Sequence, residues 1–549
     1  MNVSEQPRQS EAVDDAVPVV KTRRALIFPR WFQILFVLSV LAMGAYHVSV
    51  PNDRAMANVW VMMLGVVLAF ILYVRFVIFS PVSGWLRLGV LMGLPVLVFA
   101  GGSQLEIVGV SGLLIPTIQL RGTKMADENL QQVAAVVEQG VVDLSQSDRR
   151  VDYPRFLGPD GHPHVTNAIW NADPDSTNVH LQWRHEIGAG WSSFAAVHGF
   201  AVTTEQRGEE EIVSCYELAG GVLRWAHAVK QRHATVLGGI GPRATPAIAS
   251  GRVYSVGATG HFVCLEGATG DVLWEKELLD IIQSTAEEEL GVIAWGRSPS
   301  PLIVDDLVVI PLGGPPGGPF HSLVAFDQES GEERWRSGTV QIGYASPTVM
   351  TLASVRQIVS VNESTVSGHD IPTGNVLWEH PWPGSSTAGA NNSQAVSVGN
   401  DRIVVSKGYG FGSSLFTVVK KDDVWTTNEV WKNPRVLKTK YTNIVVVDDL
   451  AYGLSDGILE CVQISTGDRL WKKGRFNHGQ IMMIDDIIVV QDEDGPLHFI
   501  RPHATGYDSL LTVAAMEGTS WANPALFDNK LIVRNATTIA CYELPISRN

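Results

Sequence analysis

Cysteine is scarce in this chain: the four residues include no Cys-x-x-Cys pair and no Cys-x-x-Cys-His run. The usual zinc and c-type haem motifs are therefore excluded. Basic clusters are missing beyond the first thirty residues, and the formal charge is −15. Nonspecific nucleic-acid binding is excluded with them, because it needs a basic face to displace counterions from phosphates. No phosphate cradle is present either. "PLGGPPGGPF" (311–320) is glycine-rich but lacks the Lys-Ser/Thr ending and the following helix, and reads as a loop. From "DYPRFLGPDG" (152–161) onward no helical period is sustained; short apolar runs alternate with turn residues instead.

What is present begins with apolar runs. "WFQILFVLSVLAMGAYHVSV" (31–50), "NVWVMMLGVVLAFILYVRFVIF" (58–79) and "LRLGVLMGLPVLVFAGG" (86–102) have the composition of membrane spans, the third shorter and interrupted by Pro95. Lys21, Arg23, Arg24 and Arg30 precede the first run, and Arg75 and Arg87 flank the second loop, whereas Arg54 alone lies in the first. That bias puts the N-terminus in the cytoplasm, and three spans put the rest of the chain outside it. "ADENLQQVAAVVEQGVVDL" (126–144) is expected to be a polar-faced helix serving as a stalk.

The remainder is repetitive. "CYELAGGVLRW" (215–225), "CLEGATGDVLW" (264–274), "AFDQESGEERW" (325–335) and "CVQISTGDRLW" (461–471) are versions of one phrase, and units end at Trp183, Trp225, Trp274, Trp335, Trp378, Trp431 and Trp471, with Leu510 in the next such place. Each unit has room for four short strands, as a propeller blade requires. The fold class expected is all-β, an eight-bladed β-propeller preceded by N-terminal transmembrane helices. The division expected is a basic cytoplasmic N-terminus (1–30), a transmembrane region of about three helices (31–102), a linker or stalk (103–151) and the propeller (152–549). The last unit lacks a fourth strand and "LQWRHEI" (181–187) is an orphan fourth strand, so the two are expected to pair and close the ring.

This grammar accounts for several tempting sites. Asp305/Asp306, Asp448/Asp449 and Asp485/Asp486 resemble acid–base pairs but fall in the first hairpin turn of their blades, where Asp tolerates a left-handed backbone. Cys215, Cys264, Cys461 and Cys541 occupy one position of different blades, which separates them by about 10 Å or more and predicts free, buried thiols. His162 and His164 have no further ligand cluster nearby, so no metal site is assigned.

The phrase ending "ATGDVLW", "SGEERW" and "STGDRLW", with "GRVYSVGATGHFVCLEG" before the first, resembles the tryptophan-docking repeat of pyrroloquinoline quinone (PQQ) propellers, over residues 152–544. The resemblance implies that the repeat tryptophans dock blades together. It implies two functional classes: quinoprotein dehydrogenases that bind PQQ and calcium, and noncatalytic propellers such as the lipoprotein of the outer-membrane β-barrel assembly machinery. The chain departs from the soluble quinoprotein alcohol dehydrogenases in having no adjacent cysteine pair. Membrane-bound glucose dehydrogenase manages without that pair and also carries transmembrane helices. No Asp base or calcium triad can be placed on matching motifs.

The inner strands open with aligned phrases whose third place is always Ser, Thr, Asn or Gln, a column expected to be structural. The first place, or the residue before it, holds Trp191, Arg243, Arg297, Tyr344, Asn392, Lys440, Tyr441, His478 and Trp521. Equivalent places in a ring converge on its axis, so these nine are expected at one channel mouth, with aromatic faces for stacking and cations for an anionic group. Two readings follow. One is a membrane-anchored extracytoplasmic propeller that binds a small anionic ligand or an envelope protein without turnover and needs no cofactor. The other is a membrane-bound PQQ- and calcium-dependent dehydrogenase of an alcohol or sugar. A structural spacer is a third, weaker reading.

Overall fold

The computed structural model describes residues 30–49, 54–130, 140–171 and 178–548. They belong to two compact units, Met1–Tyr46 with Val61–Gly102, and His47–Trp60 with Ser103–Asn549. The basic residues 21–24 lie outside the described part.

The first unit is helical. Helices Arg30–Ser49, Arg54–Phe79 and Gly84–Ser103 coincide with the three apolar runs. The second and third are long and apolar enough to cross a membrane, and the first has a described apolar stretch at Phe36–Ala45. Val66, Leu97 and Phe99 are more than two-thirds exposed. A helix in water hides its apolar stripe, whereas these helices are apolar on their exposed surface.

The second unit is an eight-bladed β-propeller of antiparallel four-stranded sheets, at 195–229, 247–277, 302–337, 348–381, 396–433, 445–475, 480–513 and 525–543. The last blade borrows its fourth strand from His180–Glu186, which pairs Cys541 with Trp183 and closes the ring. No blade edge at the seam is left open.

The repeated phrase is the hairpin joining the third and fourth strands. Its Trp stands opposite the Cys column, as in Cys215↔Trp225, Cys264↔Trp274 and Cys461↔Trp471. All eight ladders bulge one residue beyond that pair. A bulge re-aims the side chain beside it. The indole thereby reaches the following blade, where Nε1 donates to a turn carbonyl: Trp183 to Leu218, Trp225 to Gly267, Trp274 to Gln328, Trp335 to Ile371, Trp431 to Ile464 and Trp471 to His503. The turn glycine is needed because the ring lies under it. A Cβ on Gly270, at φ +78°, would come 2.6 Å from Trp225, and the same holds for Gly331 over Trp274. Trp378 is the exception and donates to Gln357 Oε1 of its own blade. Its neighbour has the long hairpin Gly412–Lys421/Val424–Asn433 instead of the glycine turn found in the other docks.

All four cysteines are free and buried. Asp305, Asp448 and Asp485 have φ of 53°, 52° and 54°, the left-handed conformation their turns require. His164 contacts the Asp485 carbonyl at 3.2 Å through Nε2, within a short parallel pairing of 164–165 with Met483 and Ile484.

Three features differ from the sequence reading. Leu105–Val110 and Pro116–Leu120 form a hairpin that was not anticipated. Of the helix expected over 126–144, Ala126–Asn129 form a 3-10 turn and 140–144 are not helical, while 131–139 lie outside the described residues. Val142 and Leu144 pack into the core between the first two blades, so burial there outweighs local helix propensity. Helices Leu278–Ile282 and Ala286–Val292 interrupt the β pattern between the second and third blades. They are too short to leave a helical period in the sequence.

Candidate functional site

The channel is lined by the opening residues of eight inner strands, and the third place of each phrase ties neighbouring strands together. Ser193 N donates to Thr245 Oγ1 (3.1 Å), Thr245 N to Ser300 Oγ (2.9 Å), Ser300 N to Ser346 Oγ (2.9 Å) and Gln394 N to Asn443 Oδ1 (2.8 Å). Ser193 Oγ donates to the Asn523 carbonyl of the last blade at 2.6 Å. Small hydroxyl and amide side chains are required there because they satisfy backbone groups on strands that crowd together.

Residues 151–165 close the far end. The Val151 carbonyl accepts from Asp528 N, Tyr153 bridges Ala196, and the Pro154 carbonyl accepts from Ile248 N. Between this plug and the mouth lies a cavity of about 570 Å³, reached by Phe156 from the plug side.

Seven of the nine residues singled out in the sequence stand on its wall: Trp191, Arg243, Tyr344, Asn392, Lys440, Tyr441 and Trp521. The rings cluster. Trp191 and Trp521 have centroids 4.8 Å apart, Tyr441 and Trp521 5.3 Å, and Tyr344 and Trp295 5.1 Å. Two of them are fixed by a polar handle: Trp191 Nε1 donates to the Gly238 carbonyl (2.8 Å), and the Tyr344 hydroxyl donates to the Ser386 carbonyl (2.5 Å). Arg243 donates to the Gly238 and Gly241 carbonyls. Burial lowers its pKa to about 10, opposed by Tyr344 and Glu211, so it stays cationic at neutral pH. Glu211, buried within range of that charge, is pushed up to about 7 by desolvation, while the Ala258 N–H and Arg243 pull it down. Lys440 places its ammonium 5.5 Å from the Tyr409 ring, and Asn392 Nδ2 donates to the Lys440 carbonyl at 2.7 Å.

Arg297 and His478 are not on the wall. Arg297 is 1% exposed and is held by Glu289 (2.5 Å) and the Pro311 and Leu312 carbonyls. The helix Ala286–Val292 supplies Glu289, and an ion pair outside the repeat redirects the guanidinium. His478 is buried behind Tyr441, and burial with the charges of Lys440 and Arg475 holds its pKa well below the ordinary value.

The sequence reading missed the cover of the cavity. Ala55 and Met56 at the start of the second helix, Gly112 and Leu114 after the first strand of the hairpin, Trp295 in the helical insertion, and Tyr409 and Phe411 all line it. It also missed Glu493, which accepts from Gly112 N (2.6 Å), His478 N (3.1 Å) and Trp521 Nε1 (3.0 Å) and so joins cover to wall. Only Trp295 carried a signal, as the aromatic in the one long insertion.

PQQ with calcium matches the wall only in part. Arg243 and Lys440 suit the carboxylates of a planar quinone and the indoles suit its ring. Calcium takes a set of oxygen ligands that includes carboxylates. No carboxylate lines the cavity among the described residues, and those residues contain no group of three His, Cys, Asp or Glu placed to hold a metal. The donor set fits a carboxylated organic ligand and does not fit its metal.

Residues 209–473 match a protein-family model described as outer membrane protein assembly factor BamB. No curated protein matches the sequence. Among solved structures, quinohemoprotein alcohol dehydrogenase from Comamonas testosteroni aligns with TM-score 0.54 and 11% identity, over 73% of this chain and 82% of its own. A quinohemoprotein alcohol dehydrogenase from Pseudomonas putida HK5 gives 0.54 and 12%, over 74% and 83%. BamB from Moraxella catarrhalis gives 0.46 and 16%, over 67% and 98%. At these identities the likeness is one of fold.

Proposed function

We propose that this propeller, a member of the PQQ-like repeat family, is a membrane-anchored, extracytoplasmic and noncatalytic module that binds an anion with a planar or aromatic body. The observation that carries the reading is the composition of the cavity wall: two cations, Arg243 and Lys440, beside the Trp191/Trp521/Tyr441 ring cluster, with no carboxylate lining the cavity among the described residues. Desolvated guanidinium and ammonium groups favour carboxylates, and indole faces favour flat ring systems. A carboxylated small molecule and a peptide segment with acidic and aromatic residues share this chemistry. The anchoring reading draws on the exposed apolar helices. Asn58 near the start of the second helix donates to the Leu113 carbonyl in the turn of the 105–120 hairpin.

The test is titration of the purified full-length protein with PQQ, with and without calcium, and with a Phe/Asp tetrapeptide, alongside dye reduction in the presence of alcohols and sugars. Saturable binding of either probe without turnover is expected. Replacing Arg243 and Trp521 by Ala should weaken it about a hundredfold or more, since buried anchors typically carry about 2 kcal/mol or more each. Calcium-dependent turnover would overturn the noncatalytic reading. Protease added to intact spheroplasts should digest the propeller; protection would reverse the topology.

A further inference from the structure

The hairpin Leu105–Val110/Pro116–Leu120 is amphipathic in the opposite sense to a water-soluble sheet. Its register pairs Leu105 with Leu120 and Ile107 with Ile118. Side chains alternate across a strand, so these four share one face. All are exposed, at 43%, 63%, 52% and 55%, and Ile115 in the connecting turn is exposed at 53%. The other face carries the Glu106–Gln119 pair, joined at 3.0 Å and half-buried. Apolar side chains thus point away from the protein and polar ones toward it.

Three observations say what covers that face. The helix Gly84–Ser103 ends two residues before Leu105, so a chain leaving a bilayer along that helix begins the hairpin at the membrane surface. Arg121 and Lys124, both exposed, lie in the turn and the short segment that follow the second strand, and supply positive charge close to it in the chain. The register also fixes the strand faces, so the apolar side cannot turn inward without slipping every pair by one residue.

We propose that this face rests in the headgroup and upper acyl layer of a lipid bilayer, with Arg121 and Lys124 against anionic headgroups, as a second seat for the propeller besides its helices. The proposal rests on the membrane-anchored reading above. Interfacial binding of this kind combines buried apolar area with attraction to anionic lipid. The same hairpin supplies Gly112 and Leu114 to the cavity cover, so the membrane seat is built on an element that also bounds the candidate site.

The experiment uses the full-length protein in nanodiscs of phosphatidylcholine and phosphatidylglycerol, with single fluorophores on introduced cysteines. The four native thiols are buried and leave the labelling selective. Labels at Ile107→Cys and Ile118→Cys are compared with Leu97→Cys in the third helix and Val424→Cys on an outer hairpin. With nitroxide-bearing lipid, the labels at 107 and 118 should lose most of their emission, as at 97, while the label at 424 keeps its own. If 107 and 118 follow 424, or are shielded from both lipid nitroxide and aqueous iodide because protein covers them, the proposal is overturned. If the label at 97 is also unquenched, the membrane-anchored reading falls as well.

Discussion

The outer belt of indoles and the inner mouth of the channel come from the same repeat, yet they behave oppositely. Around the belt, six of the seven indoles make the same bond to a turn of the next blade. Around the mouth, equivalent positions hold Trp, Arg, Ser, Tyr, Asn and His, and each has its own partners. The belt solves one packing problem many times, whereas the mouth uses the symmetry of the ring only to bring unlike groups together. Uniformity therefore marks what holds the blades, and variation marks the mouth proposed to bind a ligand.

Removing the closing strand breaks the belt most severely. Deletion of 178–187 opens the last blade and strips Trp183 from its dock, and the loss should be comparable with a whole domain's stability, about 5–15 kcal/mol. Loss of the cooperative melt is expected; an unchanged melting temperature would refute closure.

A smaller change sharpens the contrast between packed and open positions. Gly270→Ala adds a Cβ 2.6 Å from Trp225 at φ +78°, whereas at Gly399, φ +69°, nothing lies within 4 Å. The first should cost about 2–4 kcal/mol, strain plus clash, and the second about 1 kcal/mol from strain alone. Chemical denaturation of both variants gives the difference directly. Equal losses would mean that the indole yields and the dock is loose.

The smallest effect probes the mouth through its buried counter-charge. Glu211 titrates near 7 in the folded protein against an ordinary 4.5. Its contribution is full below about pH 4.5 and falls as pH rises to 7, because the unfolded chain releases its proton first. His233 and His369, both lowered to about 4 by burial, act in the opposite direction, costing stability as pH falls from 6.5. The difference between Glu211→Gln and the parent isolates the carboxyl. The melting temperature of the variant should gain on the parent from pH 5 to pH 7.5; a constant difference would refute the raised pKa.

Much of this molecule follows from local pattern. Alternating apolar runs, turn residues at fixed offsets and a Trp at the end of each unit determined the blades, their number and the pairing of 180–186 with the last blade, because strands and hairpins depend on residues close in sequence. The hydroxyl and amide column and the left-handed Asp turns were legible for the same reason. Tertiary structure alone decided which mouth residues face the cavity. Arg297 and Arg243 stand at neighbouring positions of the repeat, but an insertion brings Glu289 to the first, while the second has its carboxyl partner at longer range and remains on the wall. The cover was equally hidden, since Met56, Gly112 and Glu493 are distant in sequence and meet only after the ring has closed. Repeats specify elements through near neighbours; a site depends on how far-apart segments satisfy one another's charges and hydrogen bonds, and no local period encodes that.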